Sequence, residues 1–259
     1  MKDKLSYFDM LAYFAPGLVL LWSAEQSLRF VGLSSYFQME NWAFESLAGI
    51  VFAYVIGQLV SARARVRFES KTSNYRKPVF KDGLISENFL LRARSLDGHV
   101  LYSEGRREML VEMAVTQCGL STRDAEKLDA WEGHLNMAQE ISHRVYRPLL
   151  TLLADEEIGV KAETMNLRYV FFRNLNVASA YGVFPFAIAA GCNYLKHVSP
   201  FDARVVLPEL LALLFALTSA VSRREAVHTA INHVREVFDS AHHFYSLRSG
   251  PSRARASTA

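Results

Sequence analysis

A chain of 259 residues has room for one large domain or two small ones, and at 51% hydrophobic and 12% aromatic residues it is too apolar to be disordered. Its 21% charged residues and mean hydropathy of +0.06 are too polar for a bundle made only of spanning helices. The net charge of +3 is too mild to argue for nucleic acid, which is not an expected partner, and two cysteines, Cys118 and Cys192, supply neither a disulfide framework nor a cysteine-based zinc site.

These averages conceal segregation, because charge concentrates in residues 62–168 and after residue 222. The first apolar stretch, Leu11 to Leu28, carries Pro16 and Gly17, which spanning helices tolerate better than soluble ones. Lys2 and Lys4 precede it as in a signal peptide. Asp3 and Asp9 dilute that basic end, and Trp22 stands where cleavage needs a small residue, so the stretch reads as a retained helix. The second stretch covers Phe44 to Ala62. Gly49, Ala53 and Gly57 recur on one face of it, a small-xxx-small pattern for close helix contact.

Residues 67–84 are polar and turn-rich, with Pro78 and the Asp82-Gly83 pair as breakers. Three helices are expected next: residues 86–95, residues 104–118 ended by Gly119, and a third starting after Ser121, with Asp124 as a capping-box-like partner. Arg147-Pro148 should end or kink the third. Along it Leu128, Trp131, Leu135, Ala138, Ser142 and Val145 recur every three or four residues and form one mostly apolar face. After the acidic patch Asp155-Glu156-Glu157, residues 163–176 read as a helix leading into the third apolar stretch, Val177 to Leu195. Ala178, Gly182 and Ala189 repeat the small-residue theme there.

The fourth stretch runs from Val205 to Val221 and continues without a breaker into a tail stripe. Val227, Ile231, Val234, Phe238, Ala241 and Tyr245 lie along one helical face, to be buried by the 122–146 helix or by a second copy. Each apolar stretch has about 17–19 residues, close to the ~20 that cross a hydrocarbon core. Residues 62–168 and the tail after 222 hold 17 and 6 Lys/Arg, with Arg63, Arg65 and Arg67 directly after the second stretch. The connections 29–43 and 196–204 hold only Arg29, Lys196 and Arg204.

Positive residues stay inside, so both termini and the middle segment should be cytoplasmic. The expected fold is all-α. Residues 1–62 form spans one and two, 63–168 a cytoplasmic helical domain inserted between spans two and three, and 169–222 spans three and four. Residues 223–248 form a cytoplasmic amphipathic helix and 249–259 a disordered tail.

Motifs for catalysis are sparse. The chain has no G-x-S-x-G, H-E-x-x-H, P-loop or dinucleotide-binding glycine pattern, so no cofactor and no metal is expected. Arg223, or Arg224 beside it, followed by His228 resembles the R-x4-H pattern of HEPN ribonucleases, whose Arg and His assist attack of an RNA 2′-hydroxyl. An arginine at 223 is also what positive-inside anchoring places there. Polar residues in or beside the spans carry more weight, because a charge at the membrane centre costs roughly 2.5–3.5 kcal/mol. Asp9, Gln58, Arg173, Asn174 and Asn176 fall at one shallow inner depth, and Glu25, Arg29, Arg204 and Glu209 near the outer side. Glu25 and Arg29 are spaced to pair. These polar residues all lie near interfaces, so one reading is snorkelling and interfacial anchoring. The other makes Gln58, Arg173, Asn174 and Glu209 a polar ring that packs helices or lines a passage, Glu209 pairing with Arg204 or facing an oligomer axis.

The opening Tyr7-Phe8-Asp9-Met10-Leu11-Ala12-Tyr13-Phe14-Ala15-Pro16-Gly17 resembles the start of a loose group of bacterial four-helix membrane proteins, some of them associated with phage-defence systems. Tyr54-Val55-Ile56-Gly57-Gln58-Leu59 and Phe172-Arg173-Asn174-Leu175 are similar to that group as well. The resemblance implies an inner-membrane effector or accessory subunit and brings no catalytic residues.

The expected function is an oligomeric effector in the lipid bilayer, whose cytoplasmic helices receive a signal or a protein partner and whose spans alter permeability. The alternative is a non-pore scaffold that holds a cytosolic protein through Leu128, Trp131, Leu135, Val234 and Phe238. A third reading is a membrane-tethered HEPN-like ribonuclease using Arg223 and His228.

Overall fold

The computed structural model describes residues 2–33, 47–69, 85–91, 95–96, 99–100, 102–155, 158–196 and 198–249. Its helices are α1 (Lys2–Val31), α2 (Leu47–Glu69), α3 (Ile85–Asn88), α4 (Glu104–Gln117), α5 (Thr122–Asp129), α6 (Leu135–Asp155), α7 (Val160–Leu195) and α8 (Ala203–Ser249). A two-residue antiparallel ladder pairs β1 (Ser95–Leu96) with β2 (His99–Val100), and a 3₁₀ turn covers Trp131–Gly133. Among the described residues the fold is all-helical apart from that ladder. The expected turns at 67–84 lie largely, and the expected 249–259 tail almost wholly, outside the described residues.

Glycine closes two of these helices by adopting the left-handed backbone that other residues avoid. Gly32 (φ 82) ends α1, its N–H donating to Arg29 O and that of Leu33 to Leu28 O, both at 3.0 Å. Gly119 (φ 70) follows α4 as its sequence position predicts.

The expected single helix after Ser121 is two. Ser121 caps α5 by accepting the Asp124 N–H at 3.1 Å, but α5 stops at Asp129. Only Leu128 of α5 is buried, so little packing energy favours carrying the helix through Gly133, which costs ~1 kcal/mol in a helix interior. Pro148, expected to end or kink the helix, lies inside α6, which continues to Asp155. Pro148 is exposed, while Val145, Leu149 and Leu153 of the same helix are buried, and their packing offsets the roughly 3 kcal/mol of an interior proline. The helix expected at 86–95 is only α3, followed by turn residues and β1.

The chain divides into two compact units, residues 1–68 with 167–228 and residues 69–166 with 229–259. In the first unit, α2, α7 and α8 are long and apolar enough to cross a membrane, with mean hydropathies of 1.2, 1.4 and 2.0 over their most apolar windows. Among the described residues α1, where the fourth span is expected, is not one of these helices. α8 has 47 residues, about 70 Å at 1.5 Å each, against a core of ~30 Å. Only its apolar part, Val205 to Val221, therefore fits as a span.

The first unit buries small and polar groups and exposes large apolar ones. Ile50, Val51, Phe52, Val55 and Leu59 of α2 are exposed, as are Leu207, Leu210, Leu213, Leu214 and Leu217 of α8. Only 22% of the apolar window of α8 is buried. Such a surface is stable against hydrocarbon, not water. Inside, α1 crosses α2 with backbones in contact. A Cβ on Gly17 would overlap the carbonyl oxygen of Ala53, and one on Gly57 would overlap that of Tyr13. Val60, Ala64, Val177 and Ala178 form a buried cluster beside this crossing, and Trp22, Phe30, Phe186 and Phe215 an aromatic one.

The second unit has the opposite arrangement, an apolar core with charges outside or paired. Phe238 of α8 is fully buried and stacks on Phe89 at 5.3 Å, with Tyr146 of α6 at 6.2 Å. Buried Arg107 of α4 ties the unit together, its Nε donating to Leu90 O at 2.7 Å while its NH2 pairs with Asp129. Asp239 accepts from Arg106 at 2.9 Å and from the Tyr102 hydroxyl at 3.1 Å.

The α1–α2 crossing generates a direct test. Gly57→Leu should destabilise the first unit by ~3 kcal/mol, the upper end of overpacking costs, since backbone cannot yield as a side chain does. Gly191→Ala, where nothing lies within 4 Å, should be neutral. Thermal unfolding in detergent compares the two.

Candidate functional site

The polar residues of the first unit converge on α7. Successive positions on a helix are turned by about 100°, so residues 173, 174 and 176 address three different neighbours. Arg173, 2% exposed, reaches the Ser61 hydroxyl of α2 at 3.5 Å and lies 5.2 Å from the centre of the Tyr169 ring. Asn174 Nδ2 donates to Ala12 O of α1 at 3.0 Å. Asn176 Nδ2 donates to the Ser219 carbonyl of α8 at 2.6 Å and to its hydroxyl at 3.0 Å, and the hydroxyl returns a bond to Asn176 O at 3.1 Å. At the other end of the helices Asn193 Nδ2 donates to Phe30 O at 3.2 Å and to Arg204 O at 2.6 Å.

The seam is not fully satisfied. The side-chain oxygens of Asn174 and Asn176 and the hydroxyl of Ser179 are buried with no partner among the described residues. Each such group forfeits about 1–3 kcal/mol, so the helices are held by packing as much as by polar bonds.

Of the expected polar ring, Arg173 and Asn174 are at the centre and Gln58 and Glu209 are not. Gln58 stands on the exposed face of α2, and Ser61 occupies the inner position instead. Ser61 continues the four-residue repeat of Gly49, Ala53 and Gly57, a signal that would have found it. Glu209 is exposed on α8, and the pairing with Arg204 is corrected, because Arg204 clasps Asp202 at 3.0 and 3.1 Å. Glu25 and Arg29 do pair, at 2.7 Å.

The partner stripes are also corrected. Leu128, Val234 and Phe238 are buried inside the second unit and offer no docking surface, while Trp131 and Leu135 are half-buried. The tail stripe is consumed by its own chain. Arg223, Arg224 and His228 are all exposed. Arg223 diverges from His228 by about 140° around the helix, whereas Arg224, one turn before His228, shares its face. Among the described residues no group of three His, Cys, Asp or Glu is placed to hold a metal.

A second polar cluster was not legible in the sequence. His233 of α8 is buried, with Nδ1 2.7 Å from Ala162 O and Nε2 2.8 Å from the Tyr146 hydroxyl. A carbonyl only accepts, so Nδ1 carries the proton and neutral Nε2 accepts from Tyr146. Burial holds the imidazole below its usual range, with the Ala162 bond opposing, and pushes the Tyr146 hydroxyl up to about 12.

The unfolded chain therefore binds the proton first as pH falls through about 6.5. Stability from this residue is complete above that pH and is lost progressively toward the lower folded value. Wild-type unfolding temperature should drop between pH 7.5 and 5, and His233→Gln should flatten the drop. An unchanged slope would mean that His233 does not titrate in that range.

No family model, no curated protein and no solved structure matches this chain.

Proposed function

We propose that the chain is a multi-pass protein of the bacterial inner membrane, crossing it four times with both termini and residues 63–168 cytoplasmic. It acts as an oligomeric effector or accessory subunit. The cytoplasmic helices receive a signal or protein partner, and the spans of the assembled ring alter permeability. One observation carries the oligomer: Gln58 and Glu209 stand on the exposed apolar faces of α2 and α8, between residues such as Leu59 and Leu210. Polar groups facing hydrocarbon are costly, and pairing between copies relieves that cost.

A lumen inside one copy finds no support, since Arg173, Asn174 and Asn176 are spent on helix contacts. A ring of copies supplies the missing aqueous path. The antiphage-defence setting rests on the resemblance of residues 7–17, 54–59 and 172–175 alone. The scaffold alternative is weakened because Leu128, Val234 and Phe238 are core residues.

The mass of the protein in nanodiscs tests this reading. A closed assembly of about four or more copies is expected. Gln58→Leu with Glu209→Leu should shift it to smaller species and cut dye release from loaded liposomes about tenfold. A wild-type monomer or simple dimer would overturn the proposal.

A further inference from the structure

We infer that the cleft between α1, α7 and α8 in the first unit binds an apolar, membrane-dissolved molecule through a carbonyl oxygen that accepts from Ser179. The inference rests on the membrane reading of the first unit and not on its oligomeric state. The cleft holds about 390 Å³ and is walled by Leu18 and Trp22 of α1, Leu175 and Ser179 of α7, and Leu214 and Phe215 of α8. That volume lies within the range of small-ligand pockets, and it suits one ring or a short chain segment rather than a whole lipid. Trp22 and Phe215 stack at 6.2 Å and 11°, giving the cleft a flat aromatic wall.

Ser179 is the feature that points to a ligand. Hydroxyls in helices ordinarily bond back to a carbonyl of the preceding turn. Thr218, in the same cleft, donates to Leu214 O at 2.9 Å, and on α1 Ser23 donates to Leu20 O at 2.7 Å and Ser27 to Ser23 O at 2.7 Å. Ser179 is 1% exposed and its hydroxyl has no partner among the described residues. It adds an unsatisfied donor to a mostly apolar wall whose other polar groups are the Trp22 indole N–H and the Thr218 hydroxyl. Such a setting, without a cation, selects an uncharged acceptor over a carboxylate or phosphate.

Depth narrows the source. Ser179 lies six residues beyond Arg173 on α7, about 9 Å further along the helix. A quinone ring dissolved in the bilayer places a carbonyl at such a depth, and a glyceride ester reaches it by sinking its head into the cleft. Both present the same chemistry to Ser179.

The test uses the full chain in nanodiscs with Trp42→Phe and Trp131→Phe, which leaves Trp22 as the single tryptophan of the original three. A short-chain benzoquinone and a chain-brominated diacylglycerol are titrated separately while Trp22 fluorescence is read. Saturable quenching, weakened about tenfold by Ser179→Ala and abolished by Ser179→Leu, is expected. The probe that saturates identifies the source, and saturation by both assigns a general carbonyl site. Quenching that rises linearly and equally in wild type and Ser179→Leu reports bulk partitioning and overturns the inference, as does undiminished affinity in Ser179→Ala. Ser179→Ala should unfold no earlier than wild type without ligand, so its loss of binding is not loss of fold. Protein that fails to float with lipid overturns the membrane reading itself. Protein that floats but quenches linearly overturns only the site.

Discussion

Asn174 and Asn176, two positions apart on α7, bond the backbone of α1 on one side and of α8 on another, and the first unit is arranged around that pair of contacts. In hydrocarbon, helices gain nothing from hiding leucine, because lipid tails are as apolar as the core. Association must come from close packing and from bonds that lipid cannot offer. The interior accordingly holds glycine, alanine, serine and asparagine, with Gly17 and Gly57 bringing two backbones together, while leucine and isoleucine face outward. The same chain switches rules in the second unit, where Phe89, Tyr146 and Phe238 form an aqueous-type core.

Arg173 shows how such an interior tolerates a cation. It sits two residues before Leu175 and the apolar run of α7, buried beneath the Tyr169 ring and within reach of Ser61. The ring face and the hydroxyl replace part of the hydration that burial removes. A lysine there would keep the charge and lose the planar group that lies over an aromatic face, so the two cations are not equivalent at this position.

Much of the architecture was legible because it follows from local rules. The apolar runs, the glycine stop at 119, the serine cap at 121 and the unbroken helix from Ala203 to Ser249 depend on neighbouring residues only. The break at 130–134 was hidden because Leu128, Trp131 and Leu135 keep a helical spacing across the 3₁₀ turn, so periodicity alone cannot report it. The candidate site was half legible. Arg173 and Asn174 announced themselves as polar residues in an apolar setting. Which neighbour each meets depends on helix rotation, and that is set by contacts between residues more than a hundred positions apart, such as Asn174 with Ala12. The His233–Tyr146–Ala162 cluster was illegible because its members come from three helices, the partners 87 and 71 positions from His233.

The stripe along Val227, Ile231, Val234, Phe238 and Ala241 illustrates how an apolar face misleads when read without its partner. Such a face must be buried, and two occupants satisfied that demand equally, the chain itself or another molecule. The chain wins because α6 and Phe89 are tethered to it, and a tethered partner competes at an effective concentration that a free one rarely reaches. The polar residues of the spans obey the converse logic. Where Asn176 had a carbonyl within reach in its own chain it took it, at Ser219. Gln58 and Glu209 instead stay exposed on the apolar outer faces of α2 and α8, where the proposed assembly would satisfy them. Exposed polar groups on a lipid-type surface therefore carry more information about assembly than the buried apolar stripes do.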